Sequence, residues 1–228
     1  MSAPLSRFPW MTRDEVFRIE TPRLWLRWSE SRDADALQQI ASHEAVATMT
    51  STWPHPLAAD EAATRIDAAR AMNAAGEALI LSLSPKAEPG MISGAIVGQI
   101  GAKVLGASHF SIGYMVDPEH QGLGLASEAV HAMRDGLFTY ALAQRISASV
   151  RIINPASKRV LEKNGFTHVR TGPVETPVRG EVEVDFLELT RARWVQERAE
   201  TRRMSVQDRS ALRRPTRDNS SAIDNIPV

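Results

Sequence analysis

Asp117-Pro118-Glu119-His120-Gln121-Gly122-Leu123-Gly124-Leu125-Ala126-Ser127-Glu128 joins the end of an apolar strand to the start of a long amphipathic helix. Upstream, Phe110-Ser111-Ile112-Gly113-Tyr114-Met115-Val116 has the aromatic and β-branched content of a buried strand. Downstream, Ala126, Val130, Met133, Leu137 and Ala141 recur at helical spacing and mark one apolar face. Between them, two glycines let the backbone bend tightly and approach a ligand with no Cβ in the way. The unpaired amides of the first helical turn, with the positive end of the helix dipole, favour an anion. Gln121, Gly122, Leu123, Gly124, Leu125, Ala126 and Ser127 therefore read as a pyrophosphate cradle.

Two other phosphate loops fit less well. A P-loop needs Gly-Lys-Ser/Thr, which is absent. The dinucleotide fingerprint needs a third glycine or alanine where Ser127 stands, and an acidic residue about twenty positions on. The next strand, near Ile146 to Ile152, instead carries Arg145 and Arg151.

A second segment, Asn154-Pro155-Ala156-Ser157-Lys158-Arg159-Val160-Leu161-Glu162-Lys163-Asn164-Gly165-Phe166, reads as a short helix. Asn154 caps it, Pro155 takes its first position, Gly165 suits the left-handed position beyond its end, and Phe166 folds back on Leu161. Together the two segments resemble the GNAT superfamily of acetyl-CoA-dependent N-acetyltransferases. Gln121, Gly122, Gly124 and Ala126 match its Gln/Arg-x-x-Gly-x-Gly/Ala motif. The second segment is similar to the Asn-x-x-Ser-x-Arg-Val-Leu-Glu-Lys-x-Gly-Phe signature of the RimJ/RimL-type branch, which acetylates ribosomal-protein N-termini, and of its small-molecule relatives. Glu20-Thr21-Pro22-Arg23-Leu24-Trp25-Leu26-Arg27 is similar to that branch's first strand, so the resemblance spans about 18–190.

The coarse element order is a strand over 23–28, helices over 33–42 and 58–76, strands over 78–84, 92–104 and 109–116, a helix over 124–142, and strands over 144–152, 166–171 and 181–190. Proline at 54 and 56 keeps the link between the first two helices non-helical, and 85–90 reads as a turn. This is an α+β pattern. The resemblance makes it a mixed central β-sheet of six to seven strands flanked by helices, splayed between strands four and five. The expected organisation is an N-terminal extension over 1–17, an acetyltransferase domain over 18–190, and a basic C-terminal helix with a disordered tail over 191–228.

Composition is consistent with one enzyme domain. The 228 residues suffice for one substantial core, and cysteine is absent, which excludes disulfides, thiolate metal sites and a cysteine nucleophile. The six histidines never pair at i,i+4, so no metal is expected, and no Gly-x-Ser-x-Gly elbow suggests a serine hydrolase. No run of eighteen apolar residues or signal-peptide core is seen, so no membrane partner and a cytoplasmic location are expected. The 27 basic and 27 acidic side chains cancel, yet 191–217 holds nine arginines against Glu197, Glu200 and Asp208. That stretch is a solvated extension or a contact for RNA or a ribosome surface, although no aromatic residue follows Trp194 for bases to stack on.

The resemblance also implies the chemistry. The co-substrate is acetyl-CoA and the acceptor a primary amine, from a small molecule or a peptide or protein N-terminus, in a monomer or homodimer. The backbone of Tyr114, Met115 and Val116 would hold the pantetheine arm and offer amides to the carbonyl oxygen. Ser157 would protonate the departing thiolate, and Asn154 would cap its helix and touch CoA. Trp53 would line the acceptor pocket or pack in the core. Many relatives read Ala-Glu-Ile-Gly-Tyr where this chain has Phe110-Ser111-Ile112-Gly113-Tyr114, so the strand carboxylate is missing. His109, on the same strand face as Ser111, is the substitute candidate for the base, with Glu77 and Glu119 behind it. Otherwise water suffices for an α-amine or a weakly basic small amine. A silent acyl-CoA sensor or scaffold, or a transferase for a longer acyl chain, are the alternatives.

Overall fold

In a computed structural model of the chain, residues 8–86 and 95–211 are described, with side chains as far as Thr201. Residues 1–7 of the extension expected over 1–17, most of the turn over 85–90, the first residues of the strand expected over 92–104, and the tail after 211 lie outside the described residues. The chain divides into two units, Met1–Arg191 and Ala192–Val228; the second contains nearly all of one helix, α6 (Arg191–Ala211).

The first unit is built on an eight-stranded sheet, one strand more than the longer of the two expected counts. The strands are β1 (Arg18–Glu20), β2 (Leu24–Arg27), β3 (Ala78–Pro85), β4 (Gly98–Gly106), β5 (His109–Val116), β6 (Arg145–Arg151), β7 (Thr167–Thr176) and β8 (Gly180–Thr190), in the spatial order β1-β2-β3-β4-β5-β6-β8-β7. The added strand is β1, three partly exposed residues paired with β2, too short to show a period in the sequence. Neighbours are antiparallel except β5 and β6, which run parallel. A parallel pair needs a crossover, and the helix α4 (Leu125–Thr139) supplies it.

Helix α4 lays Leu125, Val130, Met133, Leu137 and Phe138 against the sheet, all at most 2% exposed. Each such side chain contributes roughly 1.5–3 kcal/mol of burial free energy. Helices α1 (Ala34–Ser42), α2 (Glu44–Ala47) and α3 (Glu61–Ala75) form a separate cluster in which Leu37, Ile40, Val46, Ile66 and Trp53 surround Met115 of β5. Trp53 is thus a core residue, 7% exposed, with the Arg65 guanidinium 4.4 Å from its ring centre. The four-residue α2 went unread in the sequence because its cap is His43, whose Nδ1 accepts from Ala45 N–H.

Helix α5 (Pro155–Lys163) follows the sequence reading at both ends. The Asn154 side chain accepts from Ser157 N–H at 3.0 Å. Gly165 has φ +83°, and the amides of Gly165 and Phe166 reach back to the carbonyls of Glu162 and Leu161 at 3.0 and 3.1 Å, a Schellman closure.

Candidate functional site

The sheet opens where β5 and β6 part. They pair only at His109–Arg145, Phe110–Ile146 and Ser111–Ser147, and beyond Ser111 the two strands diverge. On the β4 side the ladder continues to Val116, opposite Gly98. Asp117 N–H donates to the Val97 carbonyl at 2.9 Å, so alternation along the antiparallel pair turns the amides of Tyr114 and Val116 toward the gap and that of Met115 toward β4. Of the three backbone positions expected to meet the ligand, two face the opening. Met115 lines the apolar cluster instead.

At the end of the β5 lip sits the glycine loop. Gly122 and Gly124 have φ +77° and +81°, values that L side chains rarely adopt. A Cβ built on Gly122 meets nothing within 4 Å, and one on Gly124 meets only the Arg23 guanidinium at 3.5 Å, so open space lies over the loop. Glu128 is the first residue whose amide bonds back along the helix, to the Gly124 carbonyl at 3.1 Å. The amides of Leu125, Ala126 and Ser127 therefore precede the ladder. Leu125 is buried beneath them, whereas Leu123 is exposed. Gln121 fastens the loop by donating its side-chain amide to the Val116 carbonyl at 3.0 Å.

A clamp that the sequence reading did not foresee holds this loop from below. Glu128 Oε1 accepts from the Thr21 hydroxyl (2.6 Å) and Arg23 N–H (2.8 Å), and its Oε2 pairs with Arg23 Nε (2.7 Å). Burial raises the Glu128 carboxyl, but those bonds outweigh it and leave its pKa below the ordinary value. Arg23 Nη1 also donates to the Leu123 carbonyl at 2.7 Å. In a planar trans peptide the N–H points opposite to the C=O, so drawing the Leu123 carbonyl down turns the Gly124 amide up toward the open side.

Across the gap, Ser157 stands in the first turn of α5, and its Oγ lies 2.8 Å from the Tyr114 hydroxyl, which also reaches the Ser157 carbonyl at 3.1 Å. Burial pushes the Tyr114 hydroxyl up to about 12, with the Ser157 bond opposing the shift only in part. Tyr114 thus keeps its proton through the neutral range and can donate it to Ser157. The sequence had given Tyr114 a backbone role only. Ser127, by contrast, is turned to α5: Asn164 Nδ2 donates to its carbonyl and hydroxyl at 3.2 and 3.1 Å.

Beside Ser157, Lys158 Nζ pairs with Asp185 at 2.8 Å, and Thr171 and His168 complete the group at 2.5 and 3.1 Å. The Lys158 ammonium and the Thr171 hydroxyl hold the Asp185 carboxyl down at about 2. A carboxyl depressed in the folded state stabilises above the unfolded value near 3.9 and loses that contribution as pH falls toward about 2. Asp185→Asn is expected to lower Tm by about 3 °C or more at pH 6 and to converge on the wild type only as pH reaches about 2, read by circular dichroism melts. A Tm difference constant from pH 6 to 2 contradicts this account.

His109 lies elsewhere. It is five residues before Tyr114 on β5, about 16 Å along an extended strand, at the end where β5 and β6 still pair. Its Nε2 is 2.5 Å from Ser147 Oγ and its Nδ1 3.0 Å from Arg145 Nη2. Burial and the Arg145 charge lower its pKa. Glu77 is level with the same end, its carbonyl accepting from Val104 N–H at 3.4 Å, and Glu119 is exposed in the turn after Asp117. The structure brings Tyr114, Val116, Ser157 and the glycine loop together, leaves His109 and Glu77 at the paired end of β5, and puts Glu119 exposed in the turn just before the loop. Among the described residues no cluster of three His, Asp or Glu could hold a metal, and no helix is long and apolar enough to cross a membrane.

A family model described as Acetyltransferase (GNAT) domain matches residues 23–167. The curated Bacillus subtilis (strain 168) protein named Probable N-acetyltransferase YjcK is 46% identical over 55 residues, 24% of this chain, and the chain spans only 30% of that relative's length. Among solved structures, Mycobacterium smegmatis RimJ in complex with CoA-disulfide superposes with a TM-score of 0.65 at 24% identity, covering 80% of this chain and 90% of its own. The GNAT-family acetyltransferase from Bacillus anthracis gives 0.64 at 20% identity, covering 76% and 98%. These likenesses establish a shared fold.

Proposed function

The chain belongs to the GNAT acetyltransferase family, and from that premise we propose that it moves the acetyl group of acetyl-CoA to a primary amine by direct attack in a ternary complex. The observation that carries the proposal is the parting of β5 and β6, with an open glycine cradle at one lip and Ser157 across it. The pyrophosphate would rest on the amides from Gly122 to Ser127, with Asn154 holding the α5 turn in place. The Tyr114 and Val116 backbone would pair with the pantetheine arm and donate to the carbonyl oxygen. The acceptor nitrogen forms the new C–N bond, the C–S bond breaks, and Ser157 gives its proton to the leaving thiolate while Tyr114 reprotonates Ser157. The amine's surplus proton leaves to water, and water returns one to Tyr114, so that each turnover ends with both hydroxyls protonated. Incubation with acetyl-CoA and a panel of amines and N-terminal peptides, followed by free thiol, tests the proposal. CoA binding without thiol release from any of them would reject it in favour of a silent acyl-CoA-binding domain.

With His109 remote from the gap, no side chain is assigned as base. The kcat/KM profile is expected to follow the acceptor's own pKa and to be identical in His109→Ala. An α-amine near 7.7–8.0 is about a tenth neutral at pH 7, whereas lysine near 10.4 is well under a thousandth. Loss of an acidic limb of the wild-type profile in His109→Ala, with the circular dichroism spectrum unchanged, would return that residue to catalysis.

A further inference from the structure

Charge is sorted between the two faces of the β6-β8-β7 half of the sheet. On β8 and β7, alternation puts Glu181, Glu183 and Asp185, with Glu175 opposite Glu181, on the face covered by α5, where Lys158 meets Asp185. The other face carries guanidinium groups, and the β8 carboxylate on it, Glu188 opposite Ser147, is held by Arg145 at 3.5 Å at the paired end of the strands. Arg151, the last residue of β6, shares the face of Ser147, and β8 brings Phe186 to the same face opposite Ser149. Arg170 pairs with Phe186 and lies 3.6 Å over its ring. Arg179, in the β7–β8 turn, reaches the same side and donates to the Thr50 carbonyl at 3.3 Å and to that of Ala47. Arg151 donates to the Thr48 carbonyl, and its Nε is buried without a hydrogen-bond partner. Among the described residues, no carboxylate pairs with Arg151, Arg170 or Arg179.

This cationic face borders the gap. Ser111 and Ser147 are the last paired residues, and four residues on along each strand stand Met115 and Arg151, on the same face and on opposite lips. Met115 packs with Val46 and Trp53, so that face is the one roofed by α2 and the segment after it, opposite to the α5 face where Ser157 and Tyr114 meet. An amine approaching the gap from the face opposite Ser157 and Tyr114 would enter beneath that roof, past Arg151.

We propose that the acceptor is an anionic amine, carrying a carboxylate near its nucleophilic nitrogen that Arg151 and Arg170 bind. This rests on the transferase reading above and names the acceptor class within it. Guanidinium matches carboxylate geometry with paired donors, and Arg170 is fixed by its ring contact before the ligand arrives. The same unneutralised charges would draw an anionic acceptor in and repel cationic ones.

Two acceptor pairs test it, each differing by one carboxylate against its amide: a serine–aspartate–alanine peptide amide with its asparagine counterpart, and β-alanine with β-alanine amide. In the wild type the acid form is expected to have about a tenfold or greater advantage in kcat/KM in at least one pair, expressed in KM, and shrinking with added salt. The pair showing it distinguishes a peptide from a small-molecule source. Arg151→Gln combined with Arg170→Gln is expected to bring the ratio to within about threefold, with KM for acetyl-CoA unchanged and partial recovery in Arg151→Lys. Equal kcat/KM within both pairs, or a loss matched by a rise in the acetyl-CoA KM, would overturn the inference. Calorimetric titration of the N-acetylated acidic and amide peptides into the CoA-bound protein separates it from the transferase reading. Absence of any turnover rejects that reading alone, while indistinguishable binding of the two peptides rejects the anionic acceptor.

Discussion

A Gly124→Val variant is expected to bind acetyl-CoA at least about a hundredfold more weakly than the wild type, with its fold intact. At φ +81° a β-branched residue costs roughly 1–2 kcal/mol in backbone strain alone. Relieving that strain means rotating the peptides on either side, which turns the Gly124 amide and the first α4 amides away from the anion. Each 1.4 kcal/mol lost is tenfold in affinity. The added Cβ meets only the Arg23 guanidinium, at ordinary contact distance, so the loss of Tm should stay within the roughly 2–8 °C that the backbone strain alone implies. Calorimetry on Gly124→Ala should fall between the two. Equal affinity in wild type and Gly124→Val would remove the pyrophosphate from this loop.

The second large effect is expected at the Ser157–Tyr114 hydroxyl pair, which we propose as the proton source. Ser157→Ala should lower kcat by about ten- to a thousandfold while the Kd for acetyl-CoA stays within about threefold, because the hydroxyl acts on the leaving group. Tyr114→Phe should lower kcat by less, since Ser157 can take a proton from water when its 2.8 Å partner is gone. If Tyr114 works only through Ser157, Tyr114→Phe has no further effect in the Ser157→Ala background. Fully additive losses in the double variant would show that the two hydroxyls act separately.

Much of this site is legible in the chain because its parts are local. Asn154, Pro155, Gly165 and Phe166 describe α5 within thirteen residues, and Gly122 and Gly124 announce their positive φ values by composition. The Tyr114–Ser157 contact joins residues 43 apart and depends on where α5 lands over the gap, which periodicity does not encode. His109 attracted attention as an imidazole on the face of Ser111, but face is only one coordinate. Its position along β5 puts it at the paired end, and register with β6 is a property of the assembled sheet. Trp53 was ambiguous for a related reason, since a proline-rich link has no period to say which way its ring turns. The arginine face was hidden because Arg151, Arg170 and Arg179 come from three separate stretches, and only the β6-β8-β7 register brings them together.

The Glu128 clamp has a consequence for how the protein comes to be. Its partners Thr21 and Arg23 lie 107 and 105 residues away along the chain. Closing a loop of that length is entropically slow, so contacts of this kind form late in folding relative to helices and hairpins. On the ribosome, Thr21 and Arg23 emerge first and must wait for more than a hundred further residues before their carboxylate exists. A partly folded chain with α4 already helical would still lack an oriented Leu123–Gly124 peptide, and so, on the pyrophosphate role we propose for this loop, would not capture CoA. On that proposal, ligand capture would report completion of the whole domain, and a ligand binding only the finished form would shift the folding equilibrium toward it in proportion to the logarithm of its concentration.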